Sequence, residues 1–170
     1  MWNKTLAALL TVGAMGTAGS LLSYANEVSG VAVAKYIPAA RVSLEDGLKA
    51  AEAEGQPISG KFELDGGQLQ LSVYTQKDGK FSEVLVDQNT GKVTKSEPIS
   101  QGNDLVDAQK QMEAYSKSKT SLRTAVSRAE LAYPGYRAVS VTPMINKGRP
   151  VAVVSLWQGK QSRTVAEPLG

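Results

Sequence analysis

Three spacings in this chain put polar side chains where they could do chemistry. Gly55-Gln56-Pro57-Ile58-Ser59-Gly60-Lys61 follows the first seven places of a phosphate-binding loop. In such a loop backbone amides cradle the phosphates and the lysine reaches the outermost of them. The eighth place must be Ser or Thr to hold magnesium, and Phe62 stands there. The stretch also follows a helical pattern where the motif needs a strand, so it reads as a helix stop and a strand entry. Asp87-x-Asn89-x-Gly91 begins like a calcium loop, whose fifth and sixth places need an oxygen ligand and a glycine. Gly91 and Lys92 occupy those places, and a turn explains the same residues. Ser116-x-x-Lys119 has the spacing that lets a lysine activate a serine in penicillin-binding enzymes. It lies in a polar Ser-Lys-Ser-Lys stretch, in a chain too short for that fold.

The chain has 0 His and 0 Cys in 170 residues. That removes imidazole metal sites, a histidine general base, the conventional serine triad and any disulfide framework. Glu63, Asp65, Glu83 and Asp87 are scattered carboxylates with no isolated acid/base pair. Tyr74, Tyr133, Tyr136 and Trp157 could line a binding surface, though aromatics at strand and helix ends more often rim a core. The formal charge of +3 forms no basic stripe suited to nucleic acid. No catalytic, cofactor-binding or metal-binding residue is assigned, and the chain is expected not to be an enzyme.

The elements that carry these residues begin after an export signal. Lys4, the apolar run Leu6 to Met15 and Ser23-Tyr24-Ala25 predict a signal peptide over 1–25, cut between Ala25 and Asn26. The mature chain then has no transmembrane segment. Residues 26–41 read as a flexible lead-in that could dock a short strand through Val31 and Val33. Ser43-x-x-Asp46 predicts a capped helix with Leu44, Leu48 and Ala51 on one face. A left-handed Gly55 and then Pro57 end it. Phe62 and Leu64, then Leu69, Leu71 and Val73, then Val84 and Val86 mark three alternating strands. Asp65-Gly66-Gly67 and Lys77-Asp78-Gly79 are the hairpin turns between them.

Asp87, Asn89, Thr90 and Gly91 then form a turn, in which Asp and Asn bond nearby backbone and Gly91 supplies a positive φ. The run Val84-x-Val86-Asp87-x-x-Thr90-Gly91-x-Val93 resembles the strand-end signature of the PepSY domain. The resemblance covers Ser43 to about Pro98 and, loosely, Ser121 to Leu169. In that second stretch Ser121-Leu122, Val126, Ala129, Val139, Val141, Val151 and Val153 echo the first unit without its turn.

The expected fold is α+β: two units of a helix and a three-stranded antiparallel meander, at 42–99 and, degenerate, at 121–170. A connecting helix over 100–120 joins them. The three-four spacing from Leu105 to Tyr133 favours one continuous helix of ~44 Å, while the repeat starting at Ser121 favours a break at Lys119-Thr120-Ser121. The unbroken register makes one helix, with room for a bend there, the expectation. The expected core is Leu44, Leu48, Leu69, Leu71, Val73, Val84, Val86, Leu122, Val126, Val139, Val141 and Val153.

The resemblance implies an exported bacterial binding module, periplasmic or secreted, that modulates or inhibits a peptidase or other envelope protein. It brings no catalytic residues. The strand Phe81-Ser82-Glu83-Val84-Leu85-Val86, taken as outermost, is the candidate edge for an added peptide strand. The alternative is a small-molecule carrier that uses a gap between helix and sheet.

Overall fold

The computed structural model describes residues 32–170. The expected signal peptide, its cut at Ala25 and Asn26, and Val31 lie outside the described residues. The helix α1, Leu44–Ala51, begins with the anticipated capping box. Asp46 N donates to Ser43 Oγ at 3.0 Å, and Ser43 N donates to Asp46 Oδ2 at 3.2 Å. The side-chain hydrogen bond from Ser43 holds the Asp46 carboxyl below its ordinary value. Leu44, Gly47, Leu48 and Ala51 are its buried face.

Seven strands follow: β1 Gln56–Asp65, β2 Gln68–Lys77, β3 Lys80–Val86, β4 Val93–Ile99, β5 Arg137–Asn146, β6 Arg149–Gln158 and β7 Gln161–Pro168. They form one antiparallel sheet in the order β4-β3-β2-β1-β5-β6-β7. The two meanders are therefore fused back to back, the first strand of one beside the first strand of the other. Gly60 opposes Val141 and Lys61 opposes Ser140 at that seam. The first meander has four strands, not three, because β4 pairs along β3.

The expected long helix is two helices. Gly102–Tyr115 is α2 and Leu122–Ala132 is α3. Ser121 caps α3, accepting from Thr124 N at 3.1 Å. Lys119 N and Thr120 N donate out of the helical ladder to Leu169 O, at 2.6 and 3.1 Å. That pairing with the far end of the chain breaks a register the local spacing would have continued.

The two halves of the old helical pattern cover opposite faces of the sheet. Along β2, Leu69, Leu71 and Val73 point to α1 and α3, in one cluster with Val84, Val86, Val126 and Val141. Tyr74, on the other face, packs with Ile58 and with Ala108 of α2. Ser59 Oγ donates to Gln111 of α2 at 2.7 Å.

The core list holds except at one strand. Leu44, Leu48, Leu69, Leu71, Val73, Val84, Val86, Leu122, Val126, Val139 and Val141 are buried. Val153 is only half-buried, and Ala152, Val154 and Leu156 take the inward places of β6. Val151 to Val154 is apolar at every position, so alternation could not choose the phase.

Two local readings also change. Gly55 is absent from the residues of positive φ, so it is not a left-handed stop. A Cβ there would lie 2.9 Å from Gln76 O, so glycine permits the close approach of the helix exit to β2. Val33 lies in a helical turn, not a strand, and is buried with Ala34 and Ile37. Arg137 anchors this lead-in, donating to Ile37 O at 2.8 Å, Ala40 O at 3.0 Å and Val42 O at 3.3 Å.

Gly47 sets how closely α1 sits on the sheet. A Cβ there would collide with Leu71 Cδ2 and lie 3.0 Å from Leu71 Cγ. Replacing a helical glycine with alanine normally gains about 1 kcal/mol. Overpacking a filled core costs ~1–3 kcal/mol. Gly47→Ala is expected to lower stability by about 1 kcal/mol in urea denaturation, and a more stable variant would mean α1 is looser than described.

Candidate functional site

The family signature forms the corner between β3 and β4. Val84 and Val86 are 0% and 3% exposed, so both are committed to the core. The Asp87 carboxylate organises the corner. Its Oδ1 accepts from Asn89 N at 3.0 Å, Thr90 N at 2.7 Å and Thr90 Oγ1 at 2.9 Å. Gly91, at φ 71°, donates to Asp87 O at 2.8 Å. Outside the corner, Arg41 N and Val42 N both donate to Gln88 O, at 3.0 and 2.9 Å. The signature thus ties the strand end to the chain just before α1. The turn's hydrogen bonds all fall on Asp87 Oδ1, so that oxygen is committed to holding the corner.

The hydrogen bond from Thr90 Oγ1, with the backbone amides of Thr90 and Asn89, lowers the Asp87 pKa below 3.8. A carboxyl depressed in the folded state stabilises it above the unfolded value and loses that contribution as pH falls through the folded one. Stability should therefore fall as pH drops below about 4. Asp87→Asn should lower the melting temperature at pH 7 and flatten this acid limb. An acid limb unchanged by the substitution would remove Asp87 from the account.

The other spacings resolve into structure. Gln56 to Lys61 lies within β1, and Lys61 pairs with Glu63 at 2.8 Å. Ser116 Oγ donates to Glu113 O at 2.8 Å, while Lys119 is held through its amide by Leu169 O. No group of three or more metal-ligating side chains occurs among the described residues.

The four aromatics do not converge. Tyr133 and Tyr136 meet edge to face at 6.2 Å, beneath the Arg163 guanidinium. Tyr74 lies against α2, where burial raises its pKa and its hydroxyl has no partner. Between α1 and the sheet, Leu44, Leu48, Leu71 and Val73 are all buried in one cluster. A shallow open recess of about 450 Å³ lies between the end of α2 and the start of α3, lined in part by Met112, Tyr115 and Lys119.

The candidate edge is corrected by the sheet order. Residues 81–86 of β3 pair with β2 on one side and β4 on the other, so Phe81 to Val86 offers no free edge. The sheet's edges are β4 and β7. Pro98 opposes Ser82 and has no amide, so that pair lacks ladder bonds and bonded pairs fall at Glu97 and Lys95. The outward main-chain groups of β4 are then Ser96 N–H and C=O and Pro98 C=O. Thr94 is an extra residue between Val93 and Lys95, a bulge whose hydroxyl donates to Leu85 O at 3.2 Å. Lys95 and Glu97 pair at 2.8 Å. Bulge, proline and lysine together are the devices that keep an edge from indiscriminate pairing.

Residues 41–97 match the family model for the peptidase propeptide and YPEB domain, PepSY. This segment is a PepSY domain. It takes in α1, β1, β2, β3 and most of β4, and it ends inside the exposed edge. The second half repeats helix, strand, strand, strand, but the family match does not extend to it. No curated protein matches the chain. A solved structure of CD1622 from Clostridium difficile 630, described as a candidate lipoprotein, is similar at 12% identity and a TM-score of 0.40. It covers 71% of this chain and 80% of that one. No helix among the described residues is long and apolar enough to cross a membrane.

Proposed function

We propose that the chain is a non-catalytic, exported binding module that engages another envelope protein, a peptidase by preference, through the outer edge of β4. The observation that carries this reading is the outward main chain of Ser96, inside the PepSY domain, and of Pro98 just past its end. The signature residues support it indirectly, since Val84, Val86, Asp87, Thr90 and Gly91 are all engaged in folding. What the domain has to offer a partner is therefore its surface. An extended segment laid along β4 would gain main-chain bonds at Ser96 and Pro98, with Lys95 and Glu97 flanking its side chains. The family's description as a peptidase propeptide supports a peptidase as the partner.

Ser96→Pro removes an outward amide without removing a ladder bond, so the variant should fold. Mixed with the peptidases secreted by the same cells, the unaltered chain should form a saturable complex in sedimentation. The proline variant should bind at least about tenfold more weakly, the loss of one interfacial hydrogen bond. Equal binding by both forms would exclude the β4 edge. No complex with any polypeptide, together with a retained small molecule in native mass spectrometry, would favour the carrier reading.

A further inference from the structure

The second edge, β7, lacks the bulge and the lysine that β4 carries, and its proline stands at the very end of the strand. Its pairing with β6 runs from Gln161 to Pro168 with no bulge. Gln158 and Gln161 flank the two-residue turn Gly159-Lys160, so they form a hydrogen-bonded pair. Alternation then gives bonded pairs at Arg163, Val165 and Glu167 and places Pro168 at a non-bonded position, as its missing amide requires. Both ends of the strand fix the same phase. The amides and carbonyls of Ser162, Thr164 and Ala166 therefore point away from the sheet, and none has a backbone partner among the described residues.

The geometry points to a second copy of this chain as the occupant of β7, joined antiparallel about a twofold axis at Val165. In that register Thr164 faces Ala166 of the other copy, and both present outward main-chain groups, so each such pair exchanges two bonds. Ser162 faces Pro168, whose carbonyl can accept. On the face that carries α3, Val165 meets Val165, and Arg163 meets Glu167 twice, once on each side of the axis. Opposite charges directly across a strand pair favour it, and like charges there oppose it. Arg163 is exposed but already held, stacked 5.2 and 5.6 Å from the rings of Tyr133 and Tyr136. A self-complementary patch is what a twofold contact requires. The β4 edge is interrupted by the Thr94 bulge and by Pro98 and is left to the partner proposed above, so either proposal can fail without the other.

Sedimentation equilibrium of the full chain should show a reversible dimer. Arg163→Glu alone and Glu167→Arg alone should each weaken it by about tenfold or more, because each places like charges across the axis twice. The double reversal Arg163→Glu with Glu167→Arg restores opposite charges in the same register and should restore the dimer. Circular dichroism checks that each variant is folded. A monomeric wild-type chain overturns the inference, as does a dimer indifferent to both single reversals. If the double reversal stays monomeric, the register is wrong.

Discussion

Leu71→Ala is expected to lower the free energy of unfolding by roughly 2–5 kcal/mol, the range for a large-to-small change in a closed core. Leu71 is 0% exposed, on the strand β2 between β1 and β3, directly beneath Gly47 of α1. Its neighbours have little freedom to collapse. Phe62 opposes it on β1 and Val86 on β3, and both are interior strands of the sheet. A loss below about 0.5 kcal/mol, the range for surface changes, would mean that the strand phase is wrong. The contact with Gly47 adds a sharper expectation. Gly47→Ala, destabilising alone, should become neutral or stabilising in the Leu71→Ala background, because its methyl then enters vacated space. Strict additivity in that double-mutant cycle would deny the contact.

Leu169→Ala should have an effect of similar size, roughly 2–5 kcal/mol, although Leu169 is the penultimate residue. The side chain is 0% exposed and belongs to the main core. Its amide donates to Pro150 O at 3.0 Å, and its carbonyl receives Lys119 N and Thr120 N. The residue therefore closes the core and holds the junction between α2 and α3. Thermal and urea unfolding of the variant would measure both roles, and protease cutting at Lys117 or Lys119 should rise with the loss. A near-neutral Leu169→Ala would mean that the chain end is not the anchor of that junction.

These two leucines mark the boundary of what the sequence disclosed. Leu71 lies in a run that alternates apolar and polar between two clear turns, so its phase and burial were readable. The same held for Leu69, Val73, Val84 and Val86, and for the capping pair Ser43 and Asp46. Leu169 carries no periodic signal, and its partners lie about fifty residues back or across a hairpin. The repeat starting at Ser121 pointed to the break between α2 and α3, but what decides it, the pull of Leu169 O on Lys119 N and Thr120 N, carries no local signal. Strand β4 was missed because Val93 to Ile99 buries no residue fully, being an edge with polar side chains on both faces. That omission displaced the candidate site, because counting three strands made β3 outermost. The seam between β1 and β5 pairs Gly60 with Val141 and Lys61 with Ser140, and nothing local announces it. The PepSY signature was legible as a motif. Only the geometry disclosed that Asp87 and Thr90 fasten the corner to the residues before α1.

The measurement that tests the central claim most directly is hydrogen exchange along β4 with and without a saturating peptidase. The Ser96 amide points to solvent in the free chain and should exchange quickly. Strand addition predicts that it slows strongly in the complex, while the ladder amides of Glu97 and Lys95, already bonded to β3, change little. A complex in which Ser96 exchanges as fast as in the free chain would contradict binding through the β4 edge.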